Sequence, residues 1–382
     1  MRSNRRGMAL ILTLWILAAL IVLAGGLAVM VRTETQASRN FADMTRCRWA
    51  ARAGVNRGIV EMANIGAQPN SLSVTLSSED EQIDLGEASF RTVIDDEAGK
   101  VNLNTASRDV LEAFFDSPEI ADCIIDWRDE DDTPRSLGAE TDYYSGLRTP
   151  YRCKNAPFDT VRELLLVKGI TNELLSMPVA VDGRQLKYLL TVYSHDVNLT
   201  NGGEQRLSLK TAGKEELKSR LGEILTDEEI DAIVSQRTTE RYESVSSAAD
   251  ALLSANVPRE KVRRVYDLVT VSSEPARPGL VNVNTAPVEV LAALPGLNNG
   301  AAEEIVSHRS ANGPFGDVGA LLQLSAVTDD AFAQLADLLT VRSSVFKIVS
   351  VGSLAPGRSS YAITCVADGT GGKAAQIKYW RE

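Results

Sequence analysis

From Met8 to Val31 the chain runs 24 residues without a charged side chain. At ~1.5 Å per residue a helix of that length reaches roughly 36 Å, enough for a tilted crossing of a bilayer core. Arg2, Arg5 and Arg6 precede the run. Basic residues ahead of an apolar helix keep that end on the cytoplasmic side, so the rest of the chain is expected outside. That remainder has an ordinary globular balance, with 44% hydrophobic and 24% charged residues over the whole chain, and is long enough for two or three domains. The net charge of −11 argues against a phosphate-binding surface.

The helix does not stop at the membrane boundary. Arg32 to Asn64 has no proline and no glycine before Gly54, and Phe41, Met44, Ala51, Val55, Ile59 and Met62 recur at spacings of three, four or seven. This predicts an amphipathic continuation, one helix from Met8 to about Asn64, on the order of 85 Å long. Its first half suits lipid or a filament core, and its second half suits packing on a globular head.

A secretory signal peptide would have a shorter apolar stretch, with a small-residue cleavage site after it. Here the basic leader ends at Gly7, in front of the run. RRGMALILTLWILAALIVLAGG resembles the type IV pilin and pseudopilin class. The resemblance implies a prepilin peptidase that cuts after Gly7 and methylates Met8; an uncleaved anchor is the plainer alternative. Most such subunits carry a glutamate five residues after the cut, which pairs with a neighbour's N-terminal ammonium. This chain has Leu12. An unpaired carboxylate in hydrocarbon costs several kcal/mol, so Leu12 suits a subunit with no neighbour on that side, at a filament tip.

Three internal repeats follow. VNLNTA from Val101, LSLKTA from Leu207 and VNVNTA from Val281 each open a unit. Each unit then has a helix, a second helix ending in Arg128, Arg237 or Arg309, an aromatic-led turn at Phe158, Tyr242 or Phe315, and a β-prone close reaching Val192, Val271 or Val341. The units span about 101–194, 207–273 and 281–344. Asn or Ser near Thr-Ala, and the Thr itself, are good helix caps, and Leu294-Pro295-Gly296-Leu297 makes a tight link between helices.

These are helix-hairpin-helix-like modules. Such modules often bind DNA through hairpin amides, and the third copy resembles the membrane-anchored DNA receptor of competent bacteria, the chief alternative reading. Asp116, Glu119, Asp122, Glu303 and Glu304 surround the hairpins where phosphate binding would want Lys or Arg. No nucleic-acid partner is therefore expected, and the modules read as protein-packing units. No nucleophile, base and orienter set, phosphate loop or metal-type cysteine spacing is present, so no enzyme is expected.

The first copy carries an insertion, from Asp129 to Ala156, dense in carboxylates: Asp129, Glu130, Asp131, Asp132, Glu140 and Asp142, with Asp126 just ahead of it. Oxygen-rich loops of this kind suit Ca²⁺, which takes six to eight ligands at ~2.4 Å, although the spacing is not that of an EF-hand. A solvated acidic loop is the other reading. In an oxidising compartment Cys123 and Cys153 could pair, or all four cysteines could be buried thiols.

DWRDEDDTPRS, GAETDYY and KNAPFDTVRELLLVKGIT, together with VNVNTAPVEVLAALPGL and the terminal YWRE, resemble protein K of the type II secretion system, a minor pseudopilin. The resemblance implies an α+β fold: a long N-terminal transmembrane and amphipathic helix with a pilin-like antiparallel sheet head, interrupted by a large inserted α-helical domain. It implies minor pseudopilins I and J as partners and calcium in the head, with Asp129, Asp131, Asp132, Glu140 and Asp142 as candidate ligands. It also implies an inner-membrane, single-pass location with a periplasmic head.

The expected organisation is a leader over 1–7, a helix over 8–64 with 8–31 in the membrane, and first head strands over 65–100. An inserted helical domain over 101–273, with repeats 101–194 and 207–273, follows. Then come a third repeat over 281–344 and closing strands over 345–382. Gln82–Leu85 and Ala88–Ile94 read as a hairpin, and Val345–Val351, Tyr361–Ala367 and Ala374–Trp380 as a meander. Residues 67–80 and 272–279 read as linkers. Periodicity leaves open whether the third repeat joins the helical domain or packs at its boundary.

Overall fold

The computed structural model describes residues 5–66, 82–180, 182–237, 247–354, 359–370 and 375–382. The expected linker at 67–80 and the second repeat's turn at Tyr242 lie outside the described residues, as does Ala374.

A single helix, α1, spans Arg5–Gly66. Its 62 residues make it about 93 Å long. Its apolar stretch leaves Leu10 to Val31 without protein cover, and Thr13 donates its hydroxyl to Leu10 O at 2.8 Å, so the one polar side chain there is satisfied within the helix. The amphipathic stripe is buried only from Cys47 onward. Phe41 and Met44 remain 76% and 42% exposed, whereas Cys47, Ala50, Ala51, Val55 and Met62 are buried. Phe41 and Met44 lie on the N-terminal side of the stretch that the sheet covers.

That sheet has five antiparallel strands in the order β1-β2-β11-β12-β13. They are β1 (Gln82–Leu85), β2 (Ala88–Asp96), β11 (Val345–Leu354), β12 (Ser359–Asp368) and β13 (Gln376–Arg381). Alternate residues Ile94, Phe346, Ile348, Ile363, Cys365 and Ala367 meet Ala51, Val55 and Met62 of α1 in a small core. Close approach there depends on missing side chains. A Cβ on Gly352 would lie 2.0 Å from Cys47 O, and one on Gly54 would lie 2.2 Å from Ser350 Oγ.

The chain leaves this sheet after Asp96 and returns at Val345, with Asp96 directly opposite Phe346. Everything between is the helical insertion. Each of its repeats is tied shut by a two-residue parallel ladder: Val101–Asn102 (β3) on Leu190–Thr191 (β4), Leu207–Ser208 (β6) on Val269–Thr270 (β7), and Val281–Asn282 (β9) on Leu339–Thr340 (β10). The repeated arginine has one job in all three. Arg128 donates to Leu103 O and Ala106 O, Arg237 to Leu209 O and Ala212 O, and Arg309 to Val283 O, so each guanidinium closes carbonyls just past the opening strand.

The aromatic turns are tied just as specifically. Asn104 accepts from Phe158 N at 2.7 Å and donates to Phe158 O at 3.0 Å; Asn284 does the same to Phe315 at 2.8 and 3.0 Å. The second copy has Lys210 at this position, which has no acceptor with which to complete such a pair.

One continuous hydrophobic core runs through all three repeats, from Val101 to Val341. The third repeat therefore belongs to the helical domain. The expected linker at 272–279 is partly built into the structure: β8 (Ala276–Pro278) pairs with β5 (His195–Val197).

Asp96 joins the two bodies. Its buried carboxylate accepts from Ala98 N (2.8 Å), Asn282 Nδ2 (3.2 Å) and the hydroxyls of Thr285 and Ser343, so the last residue of β2 holds both ends of the third repeat. Burial pushes it up to about 6 in spite of these donors. Nearby, buried Lys100 pairs with Asp95 at 2.7 Å and with Glu97 at 2.5 Å.

Gly352→Ala is expected to lose about 3 kcal/mol in a denaturant melt, because backbone rather than a flexible side chain stands in the way, while Gly316→Ala, with open space around it, stays near wild type. An acid whose folded pKa is raised contributes stability at low pH that is lost as pH climbs through the window. Wild type should therefore lose stability relative to Asp96→Asn between pH 3.8 and about 6, by up to about 3 kcal/mol, with a flat difference on either side. A pH series of paired melts with no such step would remove Asp96 from this role.

Candidate functional site

The acidic insertion folds over the end of α3 (Pro118–Arg128), which starts with Pro118 at its first turn and a Ser117 cap. Beneath the loop lies an aromatic cluster. Trp127 meets Tyr144 edge-on with centroids 5.2 Å apart, and Tyr144 stacks on Tyr151, also at 5.2 Å. Tyr144 is fully buried, and its hydroxyl accepts from Lys168 N at 3.2 Å.

Asp126 sits at the floor with no exposed surface. It accepts from Arg135 N at 3.1 Å, and Gly138 passes so close that a Cβ there would lie 1.8 Å from Asp126 Oδ2. Burial pushes Asp126 up to about 6. Glu140 is 3% exposed, and the Cys153 thiol is the one polar side chain turned toward its carboxylate among the described residues, too far for a well-formed hydrogen bond. Burial pushes it up to about 7, with Asp126, Asp129 and Asp132 close enough to add repulsion. Asp129 Oδ1 and the side-chain oxygen of Asn155 are likewise buried and unpartnered. Asn155 is held at φ +46° while its amide donates to Asp131 O (2.9 Å) and Asp132 Oδ1 (3.0 Å). Asp132 also accepts from Thr141 Oγ1 at 2.8 Å, and these two donors hold it below the usual carboxylate range.

The structure thus divides the five carboxylates singled out in the sequence. Asp129, Asp132 and Glu140 converge. Asp131 and Asp142 stand in solvent, and Asp131 Oδ1 takes the amide of Thr133. Asp126 and Asn155 were not among the candidates and belong to the same pocket; the nearby Gly138 was the available signal for Asp126. Among the described residues no group of three or more acidic, histidine or cysteine side chains is placed to hold a metal ion.

The cysteines are not paired. Cys123 donates to Leu137 O and Cys153 to Asp126 O, each at 3.6 Å, and both are buried free thiols. Both are free thiols in this structure, where a Cys123–Cys153 bridge was one of the two expectations. Burial pushes Cys123 up to about 11 and Cys153 to about 12.

At the other end of the domain, the third repeat's hairpin offers little to phosphate. Gly296 adopts φ +76° and packs against Ala331, where a Cβ would come within 2.8 Å of Cα. Glu304 accepts from the amides of Ser325 and Ala326, and Asp329 and Asp330 open the next helix. At the N-terminus, Gly7 and Met8 lie within the backbone of α1, and Leu12 is 63% exposed on it.

A long apolar helix laid on an antiparallel sheet is a pilin-like fold, here with a helical block inserted between two sheet strands. Parts of the chain are similar to type II secretion system protein K. Residues 100–177 match the family described as type II secretion system (T2SS), protein K, and residues 278–340 match the helix-hairpin-helix motif. Type II secretion system protein K of Aeromonas hydrophila is 26% identical over 206 residues, covering 46% of this chain and 62% of that protein. ComE operon protein 1 of Bacillus subtilis is 30% identical over 73 residues, covering 19% of this chain and 36% of that protein. The chain thus spans less than two thirds of the length of these relatives. In fold it is similar to a chain of the GspK-GspI-GspJ complex of the enterotoxigenic Escherichia coli type 2 secretion system. The TM-score is 0.53 at 15% identity, covering 92% of this chain and 98% of that one.

Maleimide labelling of the native protein at pH 7.5 is expected to leave Cys123 and Cys153 unmodified, and denaturation without reductant should release both. Failure of either to label after denaturation would reinstate a bridge.

Proposed function

We propose that this chain is a minor pseudopilin of a type II secretion system: an inner-membrane prepilin, cut after Gly7, that takes the tip of a periplasmic pseudopilus together with I- and J-type minor pseudopilins. The observation that carries the reading is the architecture itself, one continuous helix ending in a pilin-like sheet from whose strand ends a large helical body is inserted. A further strand of support is Leu12, which leaves this subunit without the carboxylate that would neutralise an N-terminal ammonium from above. The similar solved structure is a complex of K with I and J, which supplies the partners in this proposal. The role is assembly, without a catalytic step.

The test has two readouts. Intact-mass analysis of membrane-extracted protein should show loss of the first seven residues and a methyl group on Met8 only when the prepilin peptidase is present. Co-expressed I- and J-type subunits should co-purify with the chain, and Leu12→Glu should reduce secretion several-fold. An uncleaved N-terminus with no co-purification would sink the reading.

Calcium belongs to the same proposal. The oxygens of Asp129, Glu140 and Asn155, with Asp132 beside them, are hard donors of the kind Ca²⁺ takes, and a bound cation would offset the burial and the lesser repulsion that raise Glu140. Its contribution would be structural, fixing the loop over Trp127 and Tyr144. Ca²⁺ should raise the melting temperature of wild type by several degrees and that of Glu140→Gln by much less, since a ligand of the native state stabilises by mass action. Equal melting with Ca²⁺ and with chelator would leave a solvated loop.

The helix-hairpin-helix match to the third repeat favours a second reading, DNA binding. Acidic Glu303, Glu304, Asp329 and Asp330 around that hairpin oppose it. A titration of duplex DNA at low salt should show no saturable binding.

A further inference from the structure

One face of the sheet is covered by α1, and the other is only partly covered by the first repeat. Between them lies a groove of about 620 Å³, within the range that buries a ligand or a peptide segment. Val349 of β11 and Val366 of β12 form its floor with Leu165 and Leu175 from the repeat, and Tyr188, Tyr193 and Tyr379 stand around it. What distinguishes it is charge. Arg162, Lys187, Lys347 and Arg381 all line the groove, and among the described residues none of the four has a carboxylate within ion-pair distance.

In a chain of net charge −11, four cations left without partners along one groove are an imbalance that an incoming anion would relieve. Lys187 and Lys347 flank Tyr188, their ammonium groups 5.2 and 5.3 Å from its ring centre, so the ring's face is the present substitute for a counter-ion. Burial holds Lys347 below its ordinary range and Lys100 nearby adds repulsion, which Glu97 at the groove wall and Asp95 offset only in part. Lys100 itself is neutralised by Asp95 and Glu97 and is not available.

We propose that this groove receives an acidic, extended segment of a partner polypeptide, its carboxylates meeting Lys187, Lys347, Arg162 and Arg381 and its apolar or aromatic side chains lying on the Tyr188 and Leu165 floor. One feature favours a peptide over a polyphosphate chain: β13 is the edge of the sheet and contributes Tyr379 and Arg381 to the groove, so an extended backbone has main-chain partners at its mouth. The proposal goes beyond the tip reading and does not need it, because the sheet and the first repeat of this one chain form the groove between them.

The experiment uses the full chain in a non-ionic detergent and a fluorescein-labelled peptide of alternating glutamate and phenylalanine, followed by anisotropy. Saturable binding that weakens steeply with salt is expected. The pair Lys187→Glu with Lys347→Glu should weaken it about tenfold or more, and Tyr188→Ala should weaken it several-fold. Because Lys347 is partly buried, Arg162→Gln with Arg381→Gln, both at exposed positions, provides a second test that folding cannot confuse. The same result is expected from it in smaller degree. Equal binding of a lysine and phenylalanine peptide, no response to either pair, or tighter binding of oligothymidylate or of anionic phospholipid vesicles would overturn the proposal. Co-purification with I- and J-type subunits is read separately, so failure of the groove and failure of the tip assignment give different results.

Discussion

The nine-residue antiparallel pairing of β2 with β11 is what the rest of the molecule hangs on. It brings together residues more than 240 positions apart, sets the face that packs on α1, and fixes the two points between which the helical domain is suspended. Asp96 lies at the last rung and converts that rung into a joint by accepting donors from both ends of the third repeat. A buried carboxylate with four donors is costly to disturb, since removing it strands the donors as well. The head and the inserted domain keep separate hydrophobic cores and are linked by directional bonds, at Asp96 and again where His195 meets Asp368 at 3.4 Å.

Much of this was legible in the residues. The long N-terminal helix, the hairpin and meander, and the three repeats all follow from local periodicity and turn chemistry, because each element encodes its own pattern. Two things were not. The stripe through Phe41 and Met44 looked like the one through Val55 and Met62, and only the reach of the sheet decides which part is covered. The third repeat's allegiance depended on a core shared between units, and periodicity reports what one helix buries without naming its partner.

The acidic loop was found but not resolved. Counting carboxylates located it, yet Asp131 and Asp142 face water while Asp126 and Asn155 turn inward. Direction depends on Gly138 and on the left-handed Asn155, whose meaning appears only once the chain is folded. The cysteines teach a similar lesson, since closeness in sequence to the same loop placed Cys123 and Cys153 against different carbonyls.

Asp96 and Phe346 face each other across one rung, as the two ends of an ordinary hairpin would. A short turn joining them would leave an unbroken meander on α1. The helical block is thus topologically silent: it enters and exits through adjacent seats and asks nothing of the sheet's register. A chain built this way can carry large additions on a fixed helix and sheet, and the block can change in size or number of repeats while the helix and sheet keep their geometry.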